Sequence, residues 1–82
     1  MILIDVSVPY FGEVLDFEAD ENAPISDVIS RMVELLCARH KAVRVGRPED
    51  FFMFSGDGEI LYFAKKSLRD YGIESGNRVL LL

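Results

Sequence analysis

The sequence is poor in the residues that carry most protein chemistry. It has one cysteine, Cys37, and one histidine, His40, among 82 residues. A lone thiol forms no internal disulfide, so a cysteine-stapled secreted scaffold is excluded. With no signal peptide recognisable at the start, the expected compartment is the reducing cytosol. Structural zinc needs four Cys or His ligands, and they are not available. Positive charge is scarce as well: nine Lys and Arg against 14 Asp and Glu give a net charge of −5. Phosphate contacts require clustered cations, so nucleic acid is not expected as the main partner, and neither is an anionic membrane surface. No apolar run approaches the ~20 residues that span a bilayer. The expected molecule is cytoplasmic, without cofactor, metal or membrane insertion.

Half of the residues are apolar, including six Phe and three Tyr. That supply is what one small domain needs, because a chain of this size buries only about 60% of its unfolded surface. No repeat, linker or low-complexity segment divides it, and residues 1–82 read as a single domain. Ile2 to Val8 alternates, with Ile2, Ile4, Val6 and Val8 on one side and Asp5 and Ser7 on the other. This period of two predicts a strand with one buried face. Pro9 to Gly12 supplies a turn, and Val14 to Ala19 alternates again with Leu15, Phe17 and Ala19 inward, which predicts a hairpin. The period then lengthens. Val28, Ile29, Met32, Leu35 and Leu36 form one apolar stripe, so a helix of about four turns follows Pro24. Asp27 near its start and Arg39, His40 and Lys41 near its end suit the helix dipole.

A basic loop from Lys41 to Pro48 leads to an expected strand at Phe51 to Phe54, with Phe52 and Phe54 inward and Phe51 and Met53 outward. A short fourth strand is expected around Ile60 to Phe63. Ser67 to Ile73 reads as a brief helical turn capped by Ser67, and Arg78 to Leu82 as the last strand. The resulting order is β-β-α-β-β-turn-β, an α+β fold with one mixed five-stranded sheet and one helix laid across a face.

These elements resemble the ubiquitin-like β-grasp superfamily over almost the whole chain. The segment Leu68-Arg69-Asp70-Tyr71-Gly72-Ile73 is similar to the Leu-x-Asp-Tyr-x-Ile stretch that precedes the last strand of ubiquitin-like domains, and Phe54-Ser55-Gly56 resembles a ubiquitin corner. The resemblance implies that Leu68 and Ile73 plug the core while the Tyr71 hydroxyl ties down nearby backbone. Ile4 to Val8, Gly12 and Val14 to Ala19 further resemble the bacterial YukD/EsaB proteins encoded with the WXG100 type VII secretion machinery. Their Gly-Ile-x-x-Gly-x-x-Leu pattern stands here as Gly72 to Val79, with Val in the final place. This implies a cytosolic adaptor or regulator whose partner is a secretion component. Ubiquitin and the sulfur carriers act through a Gly-Gly tail that threads into an activating enzyme, where a Cβ obstructs. The chain ends Arg78-Val79-Leu80-Leu81-Leu82, so neither role is expected unless the native product is truncated or extended.

Catalysis is weakly supported. Cys37 and His40 are neighbours on a helix, but a helix-end cation and a small, partly buried apolar residue explain them without a nucleophile. Gly56-Asp57-Gly58 lacks the Lys-Ser/Thr of a phosphate loop and the repeated carboxylates of a calcium loop, and reads as a turn. The expected binding residues are apolar ones on the open sheet face, Met53, Leu80 and Leu82 with Phe51 beside them, because clustered exposed apolar residues mark contacts. Arg44 and Arg47 in the basic loop are expected to steer an acidic partner surface. The alternatives are that the long loop or a homodimer mate covers Phe51 and the terminal Leu residues, and that the basic loop is solvated without a docking role.

Overall fold

A computed structural model describes all of residues 1–82. Alternation sets the first two strands: β1 spans Ile2–Val8 and β2 spans Glu13–Ala19, paired antiparallel from Ile2 opposite Ala19 to Val8 opposite Glu13. Between them Pro9–Phe11 makes a single 3-10 turn closed by Gly12 at φ +63°, a left-handed conformation that glycine adopts without penalty. The helix α1 covers Ile25–Arg39 and buries Ile25, Val28, Ile29, Met32, Val33 and Leu36 against the sheet. Its stripe is the one read from the sequence, except that Leu35 sits at the solvent edge.

The first turn of a helix leaves backbone N–H groups without intrahelical partners. Here the Ile25 and Ser26 N–H groups donate to the Lys66 and Ala64 carbonyls at 2.7 and 3.0 Å. Arg69 N–H in turn donates to the Glu21 carbonyl at 3.0 Å, so residues 64–69 strap the helix start to the rest of the molecule. The strap is itself fastened. Ser67 N–H donates to Asp70 Oδ2 at 2.9 Å, and Asp70 N–H donates to Ser67 Oγ at 3.2 Å. Leu68 is fully buried and Ile73 packs against the core. Phe63 N–H donates to the Tyr71 hydroxyl at 2.9 Å, as the resemblance implied. Removing that acceptor in Tyr71→Phe is expected to cost about 1 kcal/mol in urea unfolding.

The Asp70 carboxylate lies below its ordinary pKa, first because Ser67 N–H donates to it and then through the Ser67 side chain. A carboxyl held below its unfolded value stabilises the fold above about pH 3.9 and loses that contribution as pH falls through the folded value. Asp70→Asn should therefore flatten the fall in Tm on acidification, as followed by circular dichroism.

β3 is short, Met53–Ser55, and is preceded by a 3-10 turn at Pro48–Asp50. β4 covers Arg78–Leu81. The sheet order is β2-β1-β4-β3, with β1 and β4 parallel and the other pairs antiparallel. The sheet has four strands, not five. Ile60 to Phe63 contributes only an isolated bridge, Leu61 opposite Phe54, and a Tyr62 N–H bond to the Met53 carbonyl at 2.9 Å. Gly56 turns this corner against the last strand, where a Cβ would lie 2.8 Å from the Arg78 carbonyl oxygen. Backbone cannot yield as a flexible side chain does, so Gly56→Ala is expected to destabilise the fold by about 1–3 kcal/mol in denaturant titration.

Candidate interaction face

Register decides which side chains the open face presents. Val79 and Leu81 of β4 point to the helix and are fully buried. Met53 is opposite Leu81, and directly opposed residues share a face, so Met53 points inward too and is 0% exposed. The expected outward placement of Met53 and Phe51 is therefore corrected by one residue. Phe51, two positions before Met53, packs against the rim of the core. Phe52 and Phe54 take the outward places instead. The physical reason is the run Phe51-Phe52-Met53-Phe54, in which every residue is apolar and a period of two leaves no trace. Unbranched Met53, not a ring, fills the space beneath α1.

Phe54 is opposite Leu80, and Phe52 exchanges two backbone bonds with Leu82 at 2.6 and 2.9 Å. Leu80 and Leu82 thus lie on the face away from α1, beside Phe52 and Phe54. Phe52 is 56% exposed and Leu82 50% exposed, whereas Leu80 and Phe54 are half-buried. A Cβ on Gly58 would lie 3.5 Å from Leu80 Cδ2, so the Asp57-Gly58 turn leans on that leucine and covers part of it.

The other half of the same face is acidic. Asp5 of β1 is opposite Asp16 of β2, and Glu18 is opposite Leu3. Arg78 is opposite Asp5, with its guanidinium 3.9 Å from Asp5 Oδ2. Beside Asp5, the Asp16 carboxyl is raised above its ordinary pKa, because a proton on it can be shared with the Asp5 carboxylate and because the two charges repel. The sign is opposite to that of Asp70: the folded state favours the proton, so the ionised pair opposes folding above the folded pKa.

The basic loop lies elsewhere. Val45 packs on the rim of the core and the Pro48–Asp50 turn contacts α1, which puts the loop on the helix side of the sheet. Arg44 and Arg47 are exposed, their side chains form no ion pair, and Arg47 N–H donates to Asp50 Oδ2 at 2.9 Å. They do not join the Leu80 and Leu82 cluster. A cleft of about 390 Å³ opens between α1 and the Pro48-to-Met53 segment, lined by Ile29, Phe51, Tyr62 and Phe63 among others, and Phe52 at the sheet edge borders both this cleft and the open face.

Cys37 is exposed, not partly buried. His40 is turned to the hairpin. Its ring stacks on Phe11 with centroids 3.8 Å apart, and Nε2 lies 3.0 Å from Glu13 Oε1 without hydrogen-bond alignment. Arg39 donates to the other Glu13 oxygen at 3.2 Å. No three His, Cys, Asp or Glu side chains converge as a metal site would require. No helix is long and apolar enough to cross a membrane.

Two hairpin strands, a helix packed across one face, and a last strand parallel to the first and inserted beside it define a β-grasp. Superposition on solved structures agrees. The N-terminal ubiquitin-like domain of the 4931431F19Rik protein, determined in solution, matches with a TM-score of 0.78 over 99% of this chain and 72% of that one, at 16% sequence identity. The fold is ubiquitin-like. In all, 318 chains of solved structures match, and a fold so widely shared does not itself assign a function. No family model matches the sequence, and no curated protein matches it. The ubiquitin-like sheet carries its helix on one side only, which leaves Phe52, Phe54, Leu80 and Leu82 on the side without a helix.

Proposed function

We propose that the chain is a non-catalytic protein-binding module whose open sheet face is the docking surface. One observation carries this reading: Phe52, Phe54, Leu80 and Leu82 cluster on the side of the sheet that α1 does not cover. Scattered apolar residues are normal on a protein surface, whereas a contiguous group is characteristic of contact surfaces. The non-catalytic part is supported by the two reactive side chains. Cys37 stands in solvent, and the His40 ring is stacked on Phe11 with Nε2 turned to Glu13. Cys37→Ala is accordingly expected to leave partner capture unchanged and to alter stability by less than about 0.5 kcal/mol in thermal melts.

The finer reading is a cytosolic adaptor or regulator of a type VII secretion system. Its support is the similarity of Ile4 to Val8, Val14 to Ala19 and Gly72 to Val79 to the YukD/EsaB pattern. Pull-down from the native cell tests both levels. Wild type should capture a component of a WXG100 secretion system, and Phe52→Asp/Leu80→Asp should lose it. Equal capture by both proteins contradicts the face. Capture of unrelated proteins only, lost in the variant, contradicts the secretion role and keeps the face.

A further inference from the structure

The open face is divided rather than uniform, and the division states what a partner must carry. Along the strand rows, Asp16, Asp5 and Arg78 lie side by side, and two residues further on lie Val14, Ser7, Leu80 and Phe54. Glu18 extends the acidic half beside Leu3. Among the strand residues that point to this face, three are carboxylates and Arg78 is the one cation. That guanidinium sits at 3.9 Å from Asp5 alone, outside charge-assisted hydrogen-bond distance. The single Arg78–Asp5 ion pair leaves the Asp16 and Glu18 carboxylates on this face without a cation of their own, in line with the raised Asp16 carboxyl.

The geometry points to a partner segment with an apolar anchor flanked by Lys or Arg, the anchor seated on Phe52, Phe54, Leu80 and Leu82 and the cation on Asp5 and Asp16. This rests on the open-face reading proposed above and specifies the chemistry of its partner. Complementary charge outside an apolar centre sets orientation and approach rate more than affinity. A second copy of this chain fits less well, since it brings three carboxylates and one guanidinium of its own to the contact.

The spacing is specific. Strands lie ~4.8 Å apart and residues rise ~3.3 Å along them, which puts the two aspartates about 12 Å from the Leu80–Phe54 pair. That span is about eight residues of a helical partner at 1.5 Å each, or three to four residues of an extended one.

Peptides selected on the wild-type protein from a random display library of about 16 residues test this. They are then measured by fluorescence polarisation against two variants, Phe52→Asp/Leu80→Asp and Asp5→Asn/Asp16→Asn. The expected peptides carry Lys or Arg at the stated separation from apolar residues. They lose binding to the first variant and bind the second roughly 3- to 10-fold more weakly, as two exposed ion pairs allow. Wild-type affinity should fall with added salt, and affinity for the second variant should fall less. Peptides that need Phe52 and Leu80 but ignore the aspartates overturn the charge assignment and leave the open face standing. Peptides indifferent to the first variant overturn the open face, and this inference with it, as does a selection that enriches nothing. Sedimentation that finds a wild-type dimer abolished by Phe52→Asp/Leu80→Asp names a second copy as the occupant and overturns the basic-flanked partner.

Discussion

Met53→Asp is expected to unfold the protein, while Phe52→Asp, one residue earlier, leaves it folded. Met53 has no exposed surface and lies opposite Leu81 among the side chains beneath α1. A carboxylate there has no partner and leaves a void where the thioether packed. Both effects belong to the mechanisms that exceed about 4 kcal/mol. The whole stability of a domain of this length is about 4–12 kcal/mol, so the substitution consumes most or all of it. Phe52 is 56% exposed on the opposite face, and its replacement forfeits only part of a cross-strand contact with Leu82, about 1 kcal/mol. Circular dichroism and urea titration of the two variants separate the registers cleanly. A folded Met53→Asp beside an unfolded Phe52→Asp would mean that the third strand is turned over.

The second large effect is on binding. Phe52→Asp/Leu80→Asp removes two apolar side chains from the docking cluster and adds two charges to it. The positions are diagonal on neighbouring strands and not directly opposed, which limits repulsion between the new carboxylates. Burying even one large apolar side chain at a contact is worth about 1.5–3 kcal/mol. Partner affinity should therefore fall by at least about 30-fold, equivalent to about 2 kcal/mol, with the helix signal retained. Arg44→Glu/Arg47→Glu, on the helix side of the sheet, should change that affinity little. A loss at the loop equal to the loss at the face would place the loop inside the interface.

The elements were legible where polar residues alternate with apolar ones. Asp5 and Ser7 phase β1, Asp16 and Glu18 phase β2, and the charged positions around Val28, Met32 and Leu36 phase α1. Where apolar residues run together the phase disappears. Phe51 to Phe54 and Val79 to Leu82 contain no polar residue to mark the wet side, and the face of the third strand was misassigned by one residue for that reason. Met53 carried the signal that was missed, because a flexible unbranched side chain fills irregular core space better than a ring. The fifth strand failed differently. Its residues have strand-like character, but β3 is only three residues long and offers Leu61 a single bridge. Cys37 was misplaced because it follows buried Leu36 in sequence, while a step of one residue turns a helix by about 100° and carries the thiol into solvent. The acidic half of the open face was visible as outward Asp16 and Glu18 on the second strand. That Asp5 stands directly opposite Asp16 depends on the hairpin register, which the turn sets and the composition does not show.

The most direct test of the open face as the docking surface is amide chemical-shift mapping on the labelled chain as the captured partner, or a selected peptide, is titrated in. Perturbations concentrated at Phe52, Phe54, Leu80 and Leu82, extending to Asp5 and Asp16, are the predicted result. Perturbations confined to the cleft at Ile29, Phe51 and Phe63, with the open face silent, would contradict it and move the binding site to the helix side of the sheet.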